Sequence, residues 1–173
     1  MTAIESLIKE SAKTFKAGKY ISFTSGRQTF HMDILKARGV VRMLEVSPIE
    51  DQPPYIRGSV NLRGFVMPLM DLKVKLGEAF QEYTNRSSIL IVDGGDKYNE
   101  SALALAVDSV LDIVELGDED LDNSGKSIWN SKGGYITGKA RVRGQDITLL
   151  DCDSLIGQSE KTLMARLNEL FNQ

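Results

Sequence analysis

The chain has little with which to build redox or metal chemistry. Among 173 residues there is one cysteine, Cys152, and one histidine, His31, so an intrachain disulfide framework is excluded and no His/Cys cluster exists for zinc or haem. An apolar run near the ~20 residues that span a bilayer is missing, and Met1-Thr-Ala-Ile-Glu-Ser lacks the basic and apolar regions of a secretion signal. No direct membrane insertion and a cytoplasmic location are therefore expected. Positive charge is not in excess either. The 21 basic and 24 acidic residues leave a net charge of −3, which offers nucleic acid no attracting field. The patterns Gly-x-x-x-x-Gly-Lys-Ser/Thr, Gly-x-Ser-x-Gly and His-Glu-x-x-His do not occur. Neither an enzyme nor a cofactor is expected, and no catalytic or metal-ligating residue is assigned.

What the chain does have is a repeat. Tyr55-Ile-Arg-Gly-Ser-Val-Asn-Leu-Arg-Gly-Phe-Val-Met-Pro-Leu-Met-Asp71 overlies Tyr135-Ile-Thr-Gly-Lys-Ala-Arg-Val-Arg-Gly-Gln-Asp-Ile-Thr-Leu-Leu-Asp151 without a gap, at an offset of 80. Tyr55/Tyr135, Ile56/Ile136, Gly58/Gly138, Arg63/Arg143, Gly64/Gly144, Leu69/Leu149 and Asp71/Asp151 are identical, and the register continues to Gly77/Gly157. Two copies at so long a period argue for two similar lobes and against a solenoid, which stacks three or more short units.

The surrounding text is mostly strand-like. Ile4, Leu7, Ile8, Ala12 and Phe15 first predict an amphipathic helix ending at Gly18. A meander follows, with strands at 20–24, 29–35 and 39–44 and a turn at Ser25-Gly26-Arg27. Ser47-Pro-Ile-Glu-Asp-Gln-Pro-Pro54 holds three of the four prolines and reads as a loop. In each repeat an Arg-Gly pair sits where a tight hairpin turn belongs. Asp71 and Asp151 then precede Gly77 and Gly157 by six residues, the spacing of a capped helical turn stopped by glycine. Ser87–Asp93, Ala102–Asp108 and Val110–Leu116 are further strands, residues 115–134 an acidic loop, and Ser159 a cap for a last helix with Leu163, Leu167, Leu170 and Phe171 on one face. The expected fold is mainly β: a pair of small barrels related by the repeat, with short helices at both ends. Residues 1–18 would be the first helix, about 19–85 and 86–158 the two lobes, and 159–173 the last helix.

Candidate reactive groups have plain structural readings beside them. Asp71 and Asp151 resemble a carboxylate dyad, but their place before a helical turn favours capping. Asp118, Asp120 and Asp122 begin like a calcium loop, yet glycine falls at the eighth position and Trp129 at the twelfth. Cys152 aligns with Leu72, a core position. His31 has no second ligand beside it. Arg63 alone is balanced between a turn residue and a binding residue, arginine being enriched at binding hot spots.

Met32-Asp-Ile-Leu-Lys, the Ser47-Pro48 connection, Ile56-x-Gly58, Asn61-Leu-Arg-Gly64 and Val66-Met-Pro-Leu-Met-Asp-Leu72 occur in the order found in the CheW family of chemotaxis adaptors, which the chain resembles through about Ile156. The resemblance implies two SH3-like five-stranded barrels with a groove between them, and no reaction. It implies as partners the regulatory domain of the histidine kinase CheA and the tip of a methyl-accepting chemoreceptor, hence recruitment to membrane-associated arrays. Carried to matching positions, it nominates Ile34, Ala37 and Gly39 on the first-lobe strand, then Gly58, Asn61 and Arg63. Ile34 would be an apolar anchor, Gly58 a point of close backbone approach, and Arg63 a polar contact or a determinant of groove geometry. Gly39, preceded by Arg38, stands where many members carry an acidic residue, so a charge contact there is absent or reversed. Two alternatives share the fold: a binding module of another motility or gene-regulatory pathway, and the adaptor part of a CheV-type protein, although no receiver's acidic cluster follows.

Overall fold

The computed structural model describes residues 17–95, 100–120, 134–142 and 145–173. The helix expected over 4–16 lies outside them. Among the described residues ten strands make two five-stranded sheets. In chain order they are β1 (Gly18–Ser25), β2 (Gln28–Asp33), β3 (Ala37–Arg42), β4 (Ile56–Leu62), β5 (Phe65–Asp71), β6 (Ser88–Asp93), β7 (Ala102–Val107), β8 (Ser109–Leu116), β9 (Ile136–Val142) and β10 (Gln145–Leu150). Helix α1 (Leu72–Lys75) follows β5, α2 (Cys152–Leu155) follows β10, and α3 (Gln158–Phe171) follows α2.

The repeat is realised element for element: β4, β5 and α1 correspond to β9, β10 and α2. The two sheets, however, divide the chain differently from the expected lobes. Sheet one has the order β8-β1-β2-β10-β9 and sheet two the order β3-β6-β7-β5-β4. Each half of the sequence does supply five strands, β1–β5 and β6–β10, but it gives its first two to one sheet and its last three to the other. The physical reason lies in the parallel contacts. β10 pairs with β2 and β5 with β7, and a parallel neighbour needs a crossover connection, which the other half of the chain provides.

Alternation along the strands explains how both faces of each sheet are filled. In β7, Leu103, Leu105 and Val107 point into a core shared with sheet one, where Phe23, Phe30 and Met32 meet them. Ala102, Ala104 and Ala106 point the other way, into a smaller core formed by sheet two alone with Val60, Met67, Leu69, Ile89 and Ile91. Small residues suit the narrow interior of a curled sheet and large ones the broad interface. Sheet one encloses its own cluster of Tyr20, Leu116, Ile147 and Leu149.

Two expected boundaries move. Ile34 and Leu35 leave the strand for a short 3-10 turn, because the Asp33 carboxylate accepts the Leu35 amide at 3.0 Å and ends β2. Helix α3 starts not at a Ser159 cap but after Gly157, whose carbonyl accepts the Lys161 amide. Its buried face is Leu163, Met164 and Leu167, while Leu170 and Phe171 are exposed.

Candidate functional site

The residues nominated from the sequence fall into two groups on sheet two. Ile34 opens the 3-10 turn, and its carbonyl accepts the Ala37 amide as β3 begins. Gly39 follows two residues later at the sheet edge. The pairing passes from Ala37↔Val92 to Gly39↔Ile91, so Arg38 bulges out of register. Its guanidinium lies 3.2 Å from Asp93 Oδ1. The Gly95 amide first, and Arg38 next, hold the Asp93 carboxyl below its ordinary range. Leu35 is 82% and Val40 45% exposed, giving this edge an apolar surface.

The second group is the β4–β5 hairpin. Gly58 is buried at φ +143, and a Cβ there would run into the Ser47 carbonyl oxygen and sit 2.9 Å from Val46 Cγ1. The close approach at Gly58 is thus to its own chain, where Ser47 and Ser59 exchange two backbone hydrogen bonds of 2.8 Å. That bridge ties the chain beyond β3 to β4. At the hairpin tip, Arg63 has φ +52 and Gly64 φ +92, the signature of a two-residue type I′ turn. Glycine adopts this backbone freely, whereas an L-residue in Arg63's place costs roughly 1–2 kcal/mol. The exposed Asn61 fastens the turn, its Oδ1 accepting the Gly64 amide at 2.8 Å. The equivalent pair Arg143-Gly144 lies outside the described residues. Beside the hairpin, a groove runs between the 47–52 loop and α3, with Pro48, Ile49, Arg166, Leu170 and Phe171 along it.

A half-buried polar cluster leaves little trace in the sequence. Tyr55 and Tyr135, equivalent in the repeat, face one ammonium: Lys75 Nζ stands 3.8 Å from the Tyr55 ring centroid and 5.2 Å from that of Tyr135. Glu160 Oε1 accepts from Tyr55 Oη at 3.0 Å and lies 3.5 Å from Lys75 Nζ. Burial pulls Lys75 down, but bonds to Tyr55 and Tyr135 and the Glu160 charge outweigh it and leave its pKa raised. Burial and Glu160 raise Tyr55. The identity Tyr55/Tyr135 was the available signal; which charges would meet there depends on tertiary folding.

The remaining candidates take structural roles. Asp71, 1% exposed, caps α1 through the Val74 amide and accepts from Tyr83 Oη at 2.9 Å; burial and this carboxylate raise Tyr83. Asp151 caps α2 through the Asp153 amide and the Ser154 hydroxyl. Cys152 packs in the shared core, where burial pushes its thiol up to about 12. Asp118–Asp120 is a 3-10 turn in which Asp120 Oδ2 accepts the Gly117 amide, and Asp122 lies outside the described residues. Among the described residues no group of His, Cys, Asp and Glu is arranged to hold a metal ion, and no helix is long and apolar enough to cross a membrane.

Fold and site define a β scaffold: two sheets built by strand exchange, with an apolar edge, a strained turn and a helix-lined groove at the surface. The chain belongs to the CheW-like domain family, whose sequence model matches residues 19–160. Proteins of this family are scaffold adaptors and not enzymes. The chain is 28% identical to the chemotaxis protein CheW of Rhizobium meliloti over 141 residues, 82% of this chain and 88% of that one. It is 25% identical to the chemotaxis protein CheW of Klebsiella aerogenes, covering 84% of this chain and 86% of the relative. The same identity holds with the chemotaxis protein CheW of Thermotoga maritima, covering 86% and 94%. The crystal structure of the scaffolding protein TtCheW from Thermoanaerobacter tengcongensis shares the fold, with a TM-score of 0.65 at 22% identity over 78% of this chain and 89% of that one.

Proposed function

We propose that this chain is a chemotaxis adaptor that couples the tip of a methyl-accepting chemoreceptor to the regulatory domain of a CheA-type kinase. It would bind in the cytoplasm, at arrays of those receptors, through the surface around Ile34, Ala37, Gly39, Gly58, Asn61 and Arg63. Family membership supports the adaptor role, and the observation that carries the site is the backbone of Arg63. A hairpin tip serving only to reverse the chain is best made from Asn-Gly or Gly-Gly. Here a long cationic side chain is held exposed at φ +52, and such strain collects where a residue is kept for recognition. Gly58 serves the site indirectly, by letting the 46–47 segment lie against β4.

The test separates binding from folding. Replacing Arg63 by glycine relieves the backbone strain, so Arg63→Gly should fold at least as stably as the parent. It should also weaken the complex with the kinase regulatory domain or the receptor tip by about 1–3 kcal/mol, roughly 5- to 150-fold. Calorimetric titration and a melting curve read the two effects. A variant that binds both partners as tightly as the parent would return Arg63 to a turn residue and sink this site.

A further inference from the structure

Helix α3 continues past residue 160, where the family match ends, and its last turn makes a contact that likeness to the family does not assign. Val66 of β5 stands opposite Asn61 of β4. In an antiparallel ladder, opposed residues alternate between exchanging backbone hydrogen bonds and pointing those groups away. Ser59, opposite Pro68, gives its N–H and C=O to Ser47, so Ser59/Pro68 is a pair that points away from the shared ladder. Asn61/Val66, two residues along, is another. Val66 therefore turns its N–H and C=O toward the β7 side of β5. Parallel pairing with β7, however, begins only at Leu69↔Ala104. Pro68 has no N–H to satisfy there, but Val66 has both groups.

Asn172 fills the gap. Its Oδ1 accepts the Val66 amide at 2.8 Å and its Nδ2 donates to the Val66 carbonyl at 2.8 Å, so one carboxamide does what the peptide group of a neighbouring strand would do. The same Nδ2 donates to Asn168 Oδ1 at 2.7 Å, and Asn168 Nδ2 donates to the Glu100 carbonyl at 2.8 Å. Two asparagines one helical turn apart thus bridge from the open stretch of β5 to the chain entering β7. The clamp acts directly across from Asn61, the residue whose side chain fastens the Gly64 amide. We propose that Asn172 is a positioning residue for the Arg63 turn, its carboxamide completing the open edge of β5 so that the β4–β5 hairpin presents Arg63 in one geometry. This rests on the reading of Arg63 as a recognition residue.

Amide hydrogen exchange and binding to a CheA-type regulatory domain test it together. In Asn172→Ala, Val66 should lose about ten- to hundredfold of its protection, the yield of two ordinary hydrogen bonds. The Gly64 amide should become less protected with it, and the φ-dependent three-bond coupling of Arg63 should move toward an average. Binding should weaken about tenfold in Asn172→Ala, and the same change made in an Arg63→Ala background should add no further loss. Loss of protection at Val66 with Gly64 and Arg63 unchanged would overturn the proposal and leave Asn172 as an anchor of α3. An equal loss of affinity in both backgrounds would also overturn it. Should the parent fail to bind the kinase domain, the reading of Arg63 falls, and exchange at Val66 and Gly64 still decides whether Asn172 sets the turn.

Discussion

His31 shows how one residue can make two otherwise parallel halves titrate differently. In sheet one it lies beside Leu149, and in sheet two the position beside the equivalent Leu69 is Ala104. His31 is 5% exposed and its Nδ1 lacks a hydrogen-bond partner among the described residues, so protonation would place a charge in a buried site. Burial accordingly lowers its pKa below the ordinary 6.5. Unfolded chains take up a proton near 6.5 while the folded protein resists until lower pH. Within that window the unfolded state binds more protons, and stability falls as pH falls below about 6.5. The loss should reach about 1.4 kcal/mol for each pH unit by which the folded value is lowered. Because His31 is the only histidine, its ring-proton NMR signal is unambiguous and should titrate with a midpoint below 6.5. His31→Leu should remove this component from the melting temperature between pH 7 and 5. A midpoint at or above 6.5 would show that the ring is solvated or paired. The sequence announced His31 as a lone histidine in a strand; which face it occupied depended on the register with β10, something no local pattern encodes.

At the level of elements, α3 is held by a charge as well as by its apolar face. The side chains of Lys75 and Glu160 are 11% and 4% exposed, so neither ion is fully rehydrated when the other is removed. Lys75→Met should destabilise the fold by about 3–5 kcal/mol by leaving Glu160 buried without its countercharge. The double variant Lys75→Met/Glu160→Gln should recover part of that loss, since a neutral amide can still accept from Tyr55. Denaturant unfolding of the single and double variants measures the coupling, and strictly additive losses would mean that the pair does not act as a pair. Elements with strong local signals were legible beforehand: the apolar alternation of Ala102–Val107, the Arg63-Gly64 turn, and the capping aspartates 71 and 151. Those decided by competition were not. Asp33 ends β2 early by taking the Leu35 amide, which displaces Ile34 from the strand. Leu170 and Phe171 continue an apolar stripe past the last turn that has a core to face, and they line the groove beside the 47–52 loop instead. Nor did the sequence reveal the Asn172 clamp, because an i, i+4 pair of asparagines has meaning only against a strand edge left unpaired.

For the molecule as a whole, the duplication and the count of five strands per half were visible, but the exchange of strands between halves was not. Repeated text specifies similar units; it does not say whether each unit closes on itself. In sheet two, β6 and β7 lie between β3 and β5, so the first half of the chain owns both flanks of that sheet and lacks its middle. Likewise β1 and β2 lie between β8 and β10 in sheet one. Cutting the chain in the exposed segment between Asn85 and Arg86 therefore yields fragments 1–85 and 86–173 that differ sharply from two tandem lobes. Each fragment leaves strands without their ladder partners and one side of the shared core uncovered: Phe23, Phe30 and Met32 on one fragment, Leu90, Leu103 and Leu105 on the other. Alone, each should give a poorly dispersed amide spectrum and no cooperative melt, since open strand edges and exposed cores do not sustain a fold. Mixed at equal concentration, they should recover the native spectrum with a concentration-dependent melting temperature, as expected when folding and association are one step. Native-like dispersion in either fragment by itself would mean that the halves are autonomous lobes and that the exchanged pairing is dispensable. The exchange also bears on how a scaffold carries strain between its surfaces. β3 and the β4–β5 hairpin, which with the turns beside them hold the candidate recognition residues, are joined through β6 and β7 to the chain that continues into β8 and sheet one, so the two sheets meet across the shared core.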